Sequence, residues 1–273
     1  MSWAKPNGDF TALSDENRRI WNVNAEWWDD RIGDGNDFQV ALIEPVTERL
    51  LNPRRGDTIL DVACGAGRFA RRMAELGAQV VAIDQSERFI ARARKRSVGQ
   101  TVEYVLMDAG DERVLLGLGA NRFNKAVCTM ALMDMSRIEP LFRALSRILM
   151  PGGSFVFTVM HPCFGSGEAQ RFAEMGEDET GRLRLRNGIK ISTYLGPKAR
   201  KTEGIVGQPE PQYYFHRPLS VLLGAGFAAG LVVDALEESA FPHLEAQKPG
   251  MRWDDMPEIP PVLAVRMRNP AGA

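Results

Sequence analysis

Three acidic residues stand where short apolar runs end. Asp61 lies in ILDVA, Asp84 closes QVVAID, and Asp108 follows VEYVLM. After the first run comes Ala63-Cys64-Gly65-Ala66-Gly67-Arg68-Phe69-Ala70. Two glycines one residue apart let the backbone turn tightly and come close to a ligand at the N-terminus of a following helix. Such a glycine pair also fits a bare strand-to-helix turn, so its neighbours must decide.

Two ligands compete for this loop. A nicotinamide dinucleotide brings a pyrophosphate, whereas S-adenosylmethionine brings an ammonium, a carboxylate and a sulfonium. Asp61, four residues before Gly65, would repel the first and suits the cationic second. Asp84 is nineteen residues beyond Gly65, where an acid can accept hydrogen bonds from both ribose hydroxyls; it also stands beside Ser86 at a helix start. Asp108 can accept from an adenine amino group while Met107 and Ala109 pack on the ring. The series of acids is more specific than any one of them.

Something must place those acids at one edge. Strand signals occur at 58–63, 79–84, 102–107, 123–129 and 154–160, with helix-length segments between them. The clearest helix starts near Pro140 and sets Ile138, Leu141, Phe142, Leu145, Ile148 and Leu149 on one stripe; Pro151-Gly152-Gly153 ends it. Strands alternating with helices predict a parallel sheet covered on both faces, with ligands beyond the carboxyl ends of its strands. Residues 14–52 read as helical, so 1–52 are expected to form a cap and 53–273 the main domain.

The segments ILDVACGAGRFA, VVAIDQS, VLMDAGD, FNKAVCTMALMDM and LSRILMPGGSFVFTV, in this order, resemble the class I S-adenosylmethionine-dependent methyltransferases over residues 57–160. The resemblance implies a Rossmann-like α/β fold with a seven-stranded, mostly parallel sheet, helices on both faces and an antiparallel last strand. LVVDAL (231–236) and PVLAVRMR (261–268) would supply strands six and seven. It also implies S-adenosylmethionine as cofactor, with S-adenosylhomocysteine as product, and contacts from Gly65, Gly67, Asp84 and Asp108, with Gln85, Ala109 and Met130 beside them. Asp61 and Ala63 complete the expected cofactor set. Asn124 departs from an Asp common in the family. TMALMD lacks the Asn/Asp-Pro-Pro-aromatic tetrad of amino-methylating nucleic-acid enzymes, so a small-molecule acceptor is expected, methylated on oxygen or nitrogen. A non-catalytic cofactor-binding subunit and a NAD-dependent oxidoreductase are the rival readings.

Composition agrees with a globular enzyme. Apolar residues make up 44% and charged residues 25% of 273. Thirty-four basic residues against 35 acidic ones leave no global field to gather a nucleic acid. The first twenty residues carry no apolar run fit for a signal peptide, and no membrane-length run occurs, so a cytoplasmic protein is expected. Cys64, Cys128 and Cys163 lack metal-ligand spacing, so no metal site is expected. The sequence does not set the oligomeric state.

The acceptor site is expected from the cap and from 161–216, a long insertion after strand five that would act as a lid. Trp28, Tyr213, Tyr214 and His216 are its candidate substrate residues; packing anchors are the alternative reading for both Trp27 and Trp28. His161, directly after strand five, is the candidate general base; its alternative is a histidine that caps the strand end or packs under the lid. His243 reads as a surface residue.

Overall fold

The computed structural model describes residues 10–165, 168–242 and 252–270; His243 lies outside them. Seven strands form one sheet: β1 (Thr58–Val62), β2 (Gln79–Asp84), β3 (Val102–Leu106), β4 (Phe123–Thr129), β5 (Leu149–Met160), β10 (Val232–Ser239) and β11 (Val262–Arg268). Their spatial order is β10-β11-β5-β4-β1-β2-β3. The sheet is parallel except for β11, which runs antiparallel between β5 and β10. Its order reverses direction at β1 and β4, the switch point where such sheets bind ligands.

Alternation along each strand feeds two cores. Leu60 and Val62 of β1 and Phe155, Phe157 and Val159 of β5 pack with α5 (Glu112–Leu116), α6 (Glu139–Ile148) and α7 (Leu219–Ala228). Ile59 and Val156 point the other way, toward α2 (Glu44–Leu51), α3 (Arg68–Glu75) and α4 (Glu87–Arg96). Phe142, Phe155 and Phe157 meet ring to ring at 5.6–6.2 Å and are fully buried. Each such side chain contributes about 1.5–3 kcal/mol through burial. The expected helix from Pro140 is α6, with the proline in its first turn.

The cap is α1 (Ser14–Ile32), a π-helical turn at Gln39–Ile43, and α2. Charge holds α1 to α4: Arg92 reaches Asp29, Asp30 and Glu26, and Arg96 meets Asp29 at 2.7 Å. The insertion after β5 is built around two antiparallel strand pairs. β6 (Gln170–Glu177) pairs with β7 (Leu183–Lys190), and β8 (Lys198–Thr202) with β9 (Gln212–His216), both antiparallel. Both faces of β6 and β7 are largely exposed. β7 does alternate, with Leu183, Leu185 and Ile189 on one face, but Leu183 and Leu185 are exposed, so its period marks no buried face.

Candidate active site

The carboxyl ends of β1, β2 and β4 open into a cavity of about 620 Å³. Its floor includes Ala63, Gly65, Asp84, Gln85 and Met130. A narrow cleft of about 30 Å³ continues from it past Met107, Asp108 and Ala109, and the two share Ala63, Asp84, Gln85 and Met135. This volume falls in the range usual for small-molecule sites.

Two floor residues hold left-handed backbone without being glycine. Ala63 (φ 55°) directly follows β1 and Met130 (φ 52°) directly follows β4, the adjacent parallel strand. Such conformations cost free energy and concentrate where backbone must be shaped for function. Met130 N–H is fixed by the Thr158 carbonyl at 2.9 Å.

Asp84 organises the loop. Its Oδ2 accepts from Gly65 N–H at 2.9 Å and its Oδ1 from Ser86 N–H at 2.8 Å. Ser86 is the N-cap of α4, its hydroxyl accepting from Phe89 N–H. Burial pushes the Asp84 carboxyl up to about 6, against the pull of those two N–H groups. Each oxygen keeps a lone pair for a ligand on the cavity side. Asp108 accepts from Gly110 N–H at 2.7 Å through Oδ1 and borders the cleft between Met107 and Ala109.

Asp61 and Gly67 are placed differently from the sequence expectation, and neither lines the cavity or the cleft. Asp61 is buried beneath the loop, and neither carboxylate oxygen meets a donor in good hydrogen-bond geometry. Desolvation and the nearby Asp84 push it up to about 8, the Ala70 N–H opposing. An orphaned buried acid next to Asp84 is what a cationic ligand would relieve, so the residues present fit the ammonium and sulfonium of S-adenosylmethionine.

Gly67 is the N-cap of α3 at φ 77°, its N–H bonded to the Cys64 carbonyl at 2.9 Å. A Cβ there would fall 2.3 Å from the Tyr104 hydroxyl, which is bonded to Ser97. Gly67→Ala is therefore expected to cost about 2 kcal/mol of stability through backbone strain and overlap. Urea unfolding checks this, and a loss below about 0.5 kcal/mol contradicts it.

The walls come from the cap and the insertion. Trp21 and Trp28, seven residues apart on α1, border the cavity with ring centroids 5.6 Å apart; Trp27 does not line it. From the other side come Arg171, Thr202, Gln212 and Tyr214, with Arg171 stacked over Trp253 at 4.5 Å. Alternation in β9 sends Gln212 and Tyr214 inward, while Tyr213 packs with Ile20 and Phe215 and donates to Glu16 at 2.6 Å. Tyr213 is thus part of the insertion's anchorage to α1. His216 is buried against the Tyr194 carbonyl, 2.7 Å from Nε2, and does not line the cavity.

His161 is corrected as well. Its ring is buried and absent from the cavity lining. Nδ1 accepts from Cys163 N–H at 3.2 Å, which leaves Nε2 to carry the proton and donate to Glu238 at 2.8 Å. Burial lowers its pKa, Glu238 opposing. Both nitrogens are spent on holding the start of the insertion.

A carboxyl that the sequence reading passed over faces the cavity instead. Asp134 lies in a short turn, Leu132–Asp134, just after β4. Gln212 Nε2 donates to its Oδ1 at 3.2 Å, and burial pushes its pKa up to about 8. Three buried acids with raised pKa values give a definite pH dependence. The folded protein keeps protons on Asp61, Asp84 and Asp134 at pH values where the unfolded chain has released them. Their contribution is therefore largest near pH 4 and is lost as pH rises toward 8. Scanning calorimetry of the ligand-free protein should show the melting temperature falling by roughly 5 °C over that window. A melting temperature that rises from pH 5 to 8 contradicts this.

The comparisons with known proteins agree with this architecture. Residues 60–157 match the family described as methyltransferase domain. The chain is 31% identical over 140 residues to a ubiquinone biosynthesis O-methyltransferase of Xanthomonas axonopodis, covering 50% of this chain and 56% of that protein. It thus spans little more than half the length of that relative. A second of the same name, from Xanthomonas oryzae, is 29% identical over 63% of this chain and 70% of its own length. Among solved structures, an S-adenosylmethionine-dependent methyltransferase from Mesorhizobium loti is 27% identical with a TM-score of 0.63, covering 82% of this chain and 96% of that one. A protein from Listeria monocytogenes described in similar terms shares the fold at 22% identity, TM-score 0.63 and the same coverage.

Proposed function

We propose that this chain, a class I S-adenosylmethionine-dependent methyltransferase, methylates a hydroxyl of a small, largely apolar acceptor. The observation that carries this reading is the continuous cavity from Ala63 and Asp84 to Gln212 and Tyr214. A protein that only bound the cofactor would have no need of a cavity that extends beyond the loop. The relatives' description as O-methyltransferases favours oxygen.

When bound, S-adenosylmethionine supplies an electrophilic methyl carbon. The chain's own part is to bind, orient and exclude water. Asp84 offers its free lone pairs to the ribose hydroxyls, Asp108 accepts from the adenine amino group, and Asp61 loses its proton as a cation binds and then lends it negative field. Trp21, Trp28 and Tyr214 supply flat apolar surface to an acceptor and keep water from it. A site walled by Trp21 and Trp28 on one side and Arg171, Thr202, Gln212 and Tyr214 on the other suits a small molecule and not a nucleic-acid strand. Among the described residues no helix is long and apolar enough to cross a membrane. Three free cysteines accord with a cytoplasmic setting.

The test is incubation with methyl-labelled S-adenosylmethionine and a metabolite extract, identifying the labelled product by mass. Label on the oxygen of a small hydroxylated compound supports the reading. Calorimetry that finds NAD bound and S-adenosylhomocysteine not bound overturns it.

A further inference from the structure

The cavity wall formed by α1 and β9 includes side chains with buried polar atoms that have no partner. Gln212, 6% exposed, spends its amide N–H on Asp134 and leaves its Oε1 buried without a partner. Trp28 Nε1 is likewise buried and unpartnered, and both residues border the cavity. Both atoms are packed out of contact with open space, while the residues that carry them border the cavity that Asp134 also lines. Asp134 lies on the same wall, after the strand that ends beside the Ala63 loop.

The turn bearing Asp134 is held with unusual care. Arg217, 4% exposed, donates to the carbonyls of Leu132 (3.2 Å), Met135 (2.8 Å) and Ser136 (3.0 Å). Asn17 of α1 donates to the Asp134 carbonyl at 2.8 Å, and Ser14 and Ser136 hydroxyls meet at 2.6 Å. Cap and insertion-end residues thus fix the backbone of the turn that carries Asp134, while Gln212 alone among these holds its carboxyl.

We propose that Asp134 is the general base of the reaction, oriented by Gln212, and that it takes the proton of the acceptor hydroxyl. This rests on the function proposed above. In the transfer, a lone pair of the acceptor oxygen forms the new bond to the methyl carbon. The methyl–sulfur bond breaks with its electrons going to sulfur, and the O–H proton passes to the Asp134 carboxylate. The product leaves as a methyl ether with S-adenosylhomocysteine, and Asp134 returns its proton to solvent. The titratable and charged groups around it are Tyr214 on β9, Cys128 on β4, and Arg217 on its own turn's carbonyls. Tyr214, pushed well up by burial and by Asp134, remains neutral and cannot serve as the base.

The experiment compares wild type with Asp134→Asn, which keeps the shape and an acceptor for Gln212. Both are given methyl-labelled S-adenosylmethionine and the same metabolite extract, and S-adenosylhomocysteine affinity is measured by calorimetry. The expected result is a fall of about a hundredfold or more in labelling, with affinity and melting temperature nearly unchanged. Wild-type labelling should rise with pH toward a plateau as Asp134 ionises, and the residual activity of the variant should lose that rise. Labelling by the variant within about threefold of wild type, with the same pH profile, overturns the assignment and leaves the proposed function standing. No labelling by wild type removes the function itself, and this inference with it. Should Asp134→Asn fail to fold, Gln212→Leu takes its place, and an unaltered pH profile there overturns the pairing.

Discussion

Arg217→Ala should destabilise the protein by about 3–5 kcal/mol, the scale of stripping a buried ionic donor from its partners. The side chain is buried among Leu132, Met135 and Ser136 carbonyls, and its guanidinium lies over the rings of Phe10 and Phe215 at 5.7 and 5.8 Å. Desolvation draws its pKa down to about 10, so it is still charged at neutral pH. Removing it takes away several charge-assisted bonds and opens a void between α1, the Leu132–Asp134 turn and β9. Relief of the charge's own desolvation offsets part of this. The check is thermal unfolding, where the loss corresponds to a melting temperature lower by roughly 10 °C. Arg217→Lys should recover only a part, because an ammonium cannot span carbonyls that a planar fork reaches together. A variant melting within about 2 °C of wild type would mean the clamp is decorative.

The largest effect on binding is expected at Asp84. Asp84→Ala removes the acceptor for the Gly65 and Ser86 N–H groups, and with it the lone pairs proposed to serve the ribose. Two costs therefore add, direct contact and loss of the loop's shape, for about 2–4 kcal/mol in affinity for S-adenosylmethionine. Asp84→Asn separates them, since its carbonyl oxygen still serves one N–H. It should bind more tightly than the alanine variant and more weakly than wild type. Isothermal calorimetry at pH 8, where the wild-type carboxylate is ionised, reads both. Affinity within threefold of wild type in a folded alanine variant would take Asp84 out of the site.

What the chain spells out openly and what it conceals differ for physical reasons. The first five sheet strands are legible as short apolar runs, β1, β2 and β5 being buried along most of their length; β10 and β11, expected from the resemblance, appear where LVVDAL and PVLAVRMR stand. Asp84 and Asp108 are legible because sheet topology fixes which strand ends share an edge. Asn124, a departure from the family pattern, acts locally, its Oδ1 accepting from Thr58 N–H at 2.8 Å and so joining β4 to the start of β1. By contrast, β6 shows no regular apolar period, and the alternation of Leu183, Leu185 and Ile189 in β7 belongs to a strand that is largely exposed. His161 and Asp134 show the limit best. Both follow strands that end at the functional edge, yet one ring turns away to Glu238 while the other carboxyl turns in. Direction after a strand depends on the next turn, which no composition rule supplies. Two signals could have been read: Trp21 and Trp28 share a helix face by their spacing of seven, and Gln212 shares the face of Tyr214 by their spacing of two.

The position of β11 bears on how the polypeptide reaches its finished form. Because β11 lies between β5 and β10, the sheet cannot be completed in the order in which the chain is synthesised. Until residues 262–268 have emerged from the ribosome, β5 presents a bare apolar edge and β10 has nothing to pair with. A nascent or prematurely terminated chain that stops short of residue 262 would already hold the whole cofactor loop, yet would carry an open strand edge of the kind that invites aggregation or chaperone capture.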